Sequence, residues 1–223
     1  MSPDTAAPSV IAIDGPAASG KSSVARALAR RLGWTFVNTG NMYRAVTWAV
    51  LAGGTDPADP EAVAAALAAM DISFQTTAGE TTISIDGRTL GPELTEDRVN
   101  KAVSLVASVP VVRHKLVSGQ RDLARLGPLV MEGRDIGSVV FPDSPFKFYI
   151  DASEEVRNAR RQAQGHVDKI GERDRIDATR KTSPLVTAPG AVVIDSSDLT
   201  LDQVVESVLH TLSQSGLTPA NQA

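Results

Sequence analysis

The chain of 223 residues contains no cysteine. Disulfides, zinc–thiolate sites, iron–sulfur clusters and cysteine nucleophiles are therefore excluded. Histidine is scarce: His114, His166 and His210 are the only copies, too few for a histidine-rich metal centre. Aromatic residues make up 4% of the chain against 42% for the whole hydrophobic class, so the core must consist mainly of Ala, Val, Leu and Ile. Trp34 and Trp48 are expected in that core. No apolar run approaches the ~18 residues that a membrane span needs. The opening MSPDTAAPSV lacks the basic start and apolar stretch of a secretory signal. The expectation is a cytoplasmic protein with no membrane partner.

The net charge of −4 argues against bulk nucleic-acid binding. The charge is unevenly spread. Residues 51–97 carry nine acids and one base, Arg88, a net −8, which leaves the remaining chain at +4. A basic body with an acidic insert suits small anionic ligands, and an acidic solvated face accounts for the insert equally well.

Short apolar runs alternate with helical patterns. Strands are expected at 10–13, 34–37, 129–131, 146–150 and 191–194. Helices are expected at 22–32, 42–52, 60–70, 98–126 with a break near Pro110, 154–164 and 201–212. Alternating segments 72–75 and 82–85, followed by Asp86-Gly87 and 88–90, predict a small antiparallel sheet of about three strands. The fold class is α/β: a central parallel sheet flanked by helices. One domain is expected over 9–212, with an insert at about 55–97, a lid at about 155–180, and flexible termini at 1–8 and 213–223.

One motif is specific. Gly15, Pro16, Ala17, Ala18, Ser19, Gly20, Lys21 and Ser22 match G-x-x-x-x-G-K-[ST] between a predicted strand and a predicted helix that continues through Ser23. Such a P-loop wraps backbone N–H groups around phosphate oxygens at a positive helix end, with Lys21 reaching the β and γ phosphates and Ser22 ligating Mg²⁺. It implies binding of a nucleoside triphosphate and leaves the reaction open: kinase, GTPase switch or non-catalytic module. A guanine-reading N-K-x-D is absent, because Asn100-Lys101 is followed by Val103 where Asp is required. The D-x-x-G of Asp168–Gly171 comes after it, in the wrong order.

Arginines cluster at predicted strand ends. Arg44 follows the second strand, Arg134 follows 129–131, and Arg157, Arg160, Arg161, Arg173, Arg175 and Arg180 fall within 24 residues. Arginine recognises phosphate in a bidentate, planar way. A second anion held opposite the first needs such charge while a phosphoryl group moves.

The segments Asp14-Gly15-Pro16, Asn38-Thr39-Gly40-Asn41-Met42-Tyr43-Arg44, Glu132-Gly133-Arg134-Asp135-Ile136-Gly137, Val140-Phe141-Pro142-Asp143, and Glu172-Arg173-Asp174-Arg175-Ile176-Asp177 with Arg180 and Ser183-Pro184-Leu185 resemble bacterial cytidylate kinases, of the nucleoside-monophosphate kinase group, from about Val10 to Leu212. The resemblance implies transfer of the γ-phosphoryl of MgATP to CMP and dCMP by a monomer. It implies a P-loop kinase fold with a small β-containing monophosphate-binding insert and a lid, expected to be short in this chain. Thr39, Arg44 and Arg134 would hold the CMP phosphate, and Ser104, Arg113 and Asp135 would read the base. Arg173, Asp177 and Arg180 would contact the ribose and the transferring phosphate. Lys21, Arg134, Arg173 and Arg180 would be catalytic, and Arg157, Arg160 and Arg161 would close over ATP. Cytosine presents acceptors at O2 and N3 and an amino donor, which suits an arginine fork beside a hydroxyl or carboxylate. Uracil presents the opposite at N3 and O4.

Two features depart from the family pattern. Asn38 and Glu132 stand where many members have Asp, and Glu132 is expected to border the base site. The stretch from Asp151 to Asp177 is shorter, with the shortfall between Gln164 and Glu172. A kinase for UMP, AMP or a non-nucleotide acceptor, or a non-catalytic nucleotide-binding module, is the alternative reading.

Overall fold

A computed structural model gives the structure, with residues 9–163, 174–177, 179 and 185–217 described. The apolar run ending in Asp14 forms β1 (Val10–Asp14), and the run ending in Gly133 forms β6 (Leu129–Gly133); both are buried along their whole length. Strands with helices on both faces must be apolar on both sides, which is why these runs are continuous rather than alternating. The order along the sheet is β3-β4-β2-β6-β1-β7-β8, built from β2 (Thr35–Asn38), β3 (Ile72–Thr77), β4 (Glu80–Ile85), β7 (Phe146–Asp151) and β8 (Val192–Asp195), with β5 (Arg88–Thr89) pairing β4. From β2 through β6, β1 and β7 to β8 every pairing is parallel.

The expected small antiparallel sheet of three strands is present, and it joins the main sheet. β3, β4 and β5 form the antiparallel set, and β4 joins β2 in parallel at Phe36↔Glu80. The Phe36 N–H donates to Gly79 O at 2.7 Å, in the turn between β3 and β4, so the insert continues the main sheet. Single-strand patterning does not carry this information, because one shared backbone bond at a strand end leaves no periodic trace.

The helices are α1 (Lys21–Leu32), α2 (Thr39–Ala52), α3 (Pro60–Ala68), α4 (Asp97–Ser108), α5 (Pro110–Leu123), α6 (Glu154–Ala163) and α7 (Leu201–Gln214). The break at Pro110 separates α4 from α5, with the proline at a helix start. α2 begins three residues earlier than its apolar pattern suggests. Asn38 caps it by accepting the Asn41 N–H at 3.0 Å, which draws Thr39, Gly40 and Asn41 into the first turn. α7 continues to Gln214, two residues past its expected end, under a capping box of Thr200 and Gln203.

The pleat of β1 divides the core. Val10 and Ala12 pack on the α2, α4 and α5 side, and Ile11 and Ile13 on the α1 and α7 side. Trp48 and Trp34 pack against these two clusters respectively, as expected. Among the described residues no helix is long and apolar enough to cross a membrane.

Candidate active site

The C-terminal ends of β1, β2 and β6 open into a cleft of about 850 Å³. Open α/β sheets bind ligands at that edge. The loop from Ala17 to Ser23 forms one wall, and Thr39, Arg44, Ser104, Arg113, Arg134, Asp135 and Asp177 line the rest.

The phosphate loop depends on close approach. Gly15 has φ +155°, and a Cβ there would lie 2.1 Å from Ile150 O on β7, so no other residue fits. α1 starts at Gly20 with φ 91° and no side-chain cap. Its first N–H groups therefore remain available to an anion. Lys21, almost fully buried, donates to Pro16 O at 3.0 Å, folding its stem back along the loop.

Ser22 Oγ donates to Glu132 Oε1 at 2.7 Å. Glu132 is the penultimate residue of β6, paired with Ile13 of β1, and is buried. Its carboxylate meets Ser22 of the phosphate-loop motif, in the same cleft as Ser104, Arg113 and Asp135. A hydroxyl and a carboxylate together are hard oxygen donors that fit Mg²⁺, an ion that keeps several waters and shares substrate phosphates. No group of three His, Asp or Glu side chains that could hold a metal occurs among the described residues, so a dedicated all-protein cage is not offered there. A signal for Glu132 existed in the sequence: an apolar strand, Leu129-Val130-Met131, ending in an acid.

On the opposite side, Arg134 Nη1 donates to Gly15 O and its Nε to Asp177 Oδ2, both at 2.9 Å. One arginine thus bridges the phosphate loop and the far wall. Burial disfavours its charge, but Asp177, with Asp174 and Glu132 behind it, outweighs that and holds the guanidinium above the ordinary arginine range. Asp177 also accepts from Ser104 Oγ at 3.2 Å, which brings three of the predicted residues into one network. Thr39 Oγ1 donates to Glu132 O at 2.8 Å. Gly133 makes that possible, because a Cβ on it would lie 2.6 Å from Thr39 Oγ1.

Arg113 and Asp135 form a buried ion pair, each side chain 5% exposed. The Arg113 guanidinium lies 5.3 Å over the Tyr43 ring, and its Nε has no hydrogen-bond partner among the described residues. Arg44 donates to Asn100 Oδ1 at 3.3 Å and to Asn41 Oδ1 at 3.4 Å. From the sequence, Tyr43 and Asn100 carry no site role: Tyr43 stands only within the family motif and Asn100 only in the incomplete N-K-x-D. The fold sets them beside Arg113 and Arg44.

The α6 arginines divide. Arg160 and Arg161 line the cleft, and Arg160 donates to Ser19 O at 3.3 Å and to Ser196 O at 2.7 Å. Arg157 turns to Ala17 O at 3.2 Å and pairs with Asp174, whose Oδ1 accepts the Ala17 N–H at 3.0 Å. Arg173 and Arg180 lie outside the described residues, as do 164–172 and 178 of the expected lid.

A family model described as cytidylate kinase matches residues 11–214. A cytidylate kinase of Mycolicibacterium paratuberculosis is 46% identical over 217 residues, covering 92% of this chain and 95% of that protein. A cytidylate kinase of Rhodococcus opacus is 44% identical over 217 residues, with the same coverage. A cytidylate kinase of Pelotomaculum thermopropionicum is 44% identical over 215 residues, covering 91% of this chain and 95% of that one.

Proposed function

The chain belongs to the cytidylate kinase family, and we propose that it transfers the γ-phosphoryl group of ATP to CMP, and also to dCMP, in the cleft described above. The observation that carries this reading is Arg134, which links the carbonyl of Gly15 in the phosphate loop to Asp177 on the acceptor side.

The bond from the γ-phosphorus to the β–γ bridging oxygen breaks as one forms to an oxygen of the CMP phosphate, and the products are ADP and CDP. The acceptor oxygen is already anionic near pH 7, so no strong general base is needed. Catalysis is then positioning plus stabilisation of spread charge. The loop N–H groups and Lys21 hold the triphosphate, while Thr39, Arg44 and Arg134 hold the CMP phosphate. Arg113, Asp135 and Ser104 read cytosine, and Asp177 takes the ribose. Arg160 and Arg161 flank the donor, and Arg157 joins them. Arg173 and Arg180 are proposed to add charge at the transferring group.

Ser22 and Glu132 would hold Mg²⁺. The ion, when bound, neutralises charge on the donor phosphates. A monomeric, cytoplasmic enzyme serving pyrimidine nucleotide metabolism is part of the proposal, with small molecules rather than nucleic acid or membrane as partners.

The test is ADP formation from MgATP with CMP, dCMP, UMP and AMP offered separately and with no acceptor. Turnover with CMP and dCMP, and little with the others, is expected. Preference for UMP or AMP would overturn the base-reading assignment. ADP forming equally fast without an acceptor would overturn transfer to a nucleotide.

A further inference from the structure

Arg134 and Asp135 end at an unusual piece of backbone. Residues Ile136–Val140 form a π-helical turn, with the Val140 N–H donating to Asp135 O at 3.2 Å and the Phe141 N–H to Ile136 O at 2.7 Å. Such turns are rare and poorly self-supporting. A single turn also leaves N–H groups unsatisfied at its start and carbonyls unsatisfied at its end, and buried groups of that kind need partners.

Both ends find partners: a carboxyl group accepts at the start and a guanidinium donates at the end. At the start, the Ile136 N–H donates to Asp14 Oδ1 at 2.7 Å and the Gly137 N–H to Asp14 Oδ2 at 2.8 Å. Asp14 is the last residue of β1, immediately before Gly15, so this anchor belongs to the base of the phosphate loop. At the end, Arg121 donates from Nε to Val140 O at 3.0 Å and from Nη2 to Val139 O at 2.8 Å.

Arg121 lies on α5, the helix that also carries Arg113. The two arginines are eight residues apart, about 12 Å along a straight helix. Arg113 grips Asp135 just before the turn, and Arg121 grips the carbonyls that finish it. α5 therefore splints the turn along its length while Asp14 ties its start to the phosphate loop. Neither Asp14 nor Arg121 is among the residues lining the cleft.

We propose that Asp14 and Arg121 are positioning residues for phosphoryl transfer: by gripping the Ile136–Val140 turn from its two ends they fix Arg134 against Gly15 and Asp135 against Arg113. The acceptor half of the cleft, more than the donor half, depends on this clamp, because the phosphate loop keeps its own geometry through Gly15 and α1. The inference rests on the reading of the cleft as the site of CMP phosphorylation.

Arg121 is exposed, so Arg121→Ala keeps the core intact, whereas Asp14→Asn alters a buried group. The experiment compares the parent, Arg121→Ala, Arg121→Lys and Asp14→Asn in steady-state kinetics and in amide hydrogen exchange. In Arg121→Ala, kcat/KM for CMP falls at least about tenfold, as removal of a charged donor to two carbonyls implies. KM for ATP stays within about twofold, and Arg121→Lys recovers most of the loss. Exchange in the peptide spanning 134–141 speeds up in Arg121→Ala and in Asp14→Asn, while the phosphate-loop peptide is unchanged. Unchanged kcat/KM for CMP, equal losses for CMP and ATP, no recovery with lysine, or unaltered exchange over 134–141 would each overturn the clamp. A parent that does not phosphorylate CMP would instead overturn the underlying reading, and the exchange comparison would still decide the clamp.

Discussion

Asp174 accepts the N–H of Ala17 at 3.0 Å while its other oxygen pairs with Arg157. A loop N–H and an arginine are what a triphosphate takes from such a site. Under the proposed placement of ATP, this carboxylate competes with the donor phosphates for both groups.

It follows that Asp174→Ala binds ATP more tightly. Removing a competing, partly exposed charge is worth about 1 kcal/mol, a gain of roughly threefold to tenfold in affinity. Calorimetric titration with ATP measures it. An unchanged or weaker affinity would show that Asp174 does not compete with the donor.

The proposed Mg²⁺ site is tested at Glu132. Its carboxylate meets Ser22 Oγ at 2.7 Å. Glu132→Gln keeps the hydrogen bond but removes the charge, so the Mg²⁺ concentration for half-maximal rate is expected to rise at least about tenfold, as for loss of a metal partner. ATP affinity measured without Mg²⁺ does not fall. A Mg²⁺ dependence equal to the parent's would place the ion elsewhere.

The Arg113–Asp135 pair is buried on both sides. Arg113→Met strands a carboxylate in the interior and is expected to cost about 3–5 kcal/mol. Arg113→Met combined with Asp135→Leu is expected to recover much of that stability without recovering CMP turnover. Urea denaturation alongside the kinase assay tests both halves. Turnover preserved in the double variant would remove the pair from base reading.

Asp14 supplies a pH signature. Burial pushes its carboxyl from 3.8 up to about 7, against the lowering effect of the Gly137 and Ile136 N–H groups, with Asp135 adding to the rise and Lys21 opposing it. The folded state thus holds a proton that the unfolded state has lost, so this group's contribution to stability falls as pH rises from about 4 to about 7. The Tm of the parent minus that of Asp14→Asn is expected to shrink between pH 5 and pH 8. A difference that is constant or grows would contradict the assignment.

Much of the site was readable from sequence because its chemistry is local. The phosphate loop is one contiguous motif, and the strands and helices around it have distinct periods, so Lys21 and Ser22 could be placed without a fold. The cleft also gathers Thr39, Arg44, Ser104, Arg113, Arg134, Asp135 and Asp177, as the family resemblance implied. What was not readable depends on contacts between distant segments. Glu132 meets Ser22 across 110 residues, and Asp174 meets Ala17 across 157. The joining of the insert to the main sheet rests on a single register point, Phe36↔Glu80. The π-helical turn after Asp135 has no sequence period of its own, and its supports come from β1 and α5.

The most direct test of the account is the exchange Arg134→Ala, read as kcat with CMP against the dissociation constant for ATP. Arg134 is placed at the transferring group and outside the main grip on the triphosphate. kcat is expected to fall by at least about a hundredfold, the range for removing one charge-stabilising donor, while ATP affinity changes less than about threefold. Retained kcat, or a loss confined to ATP binding, would contradict it.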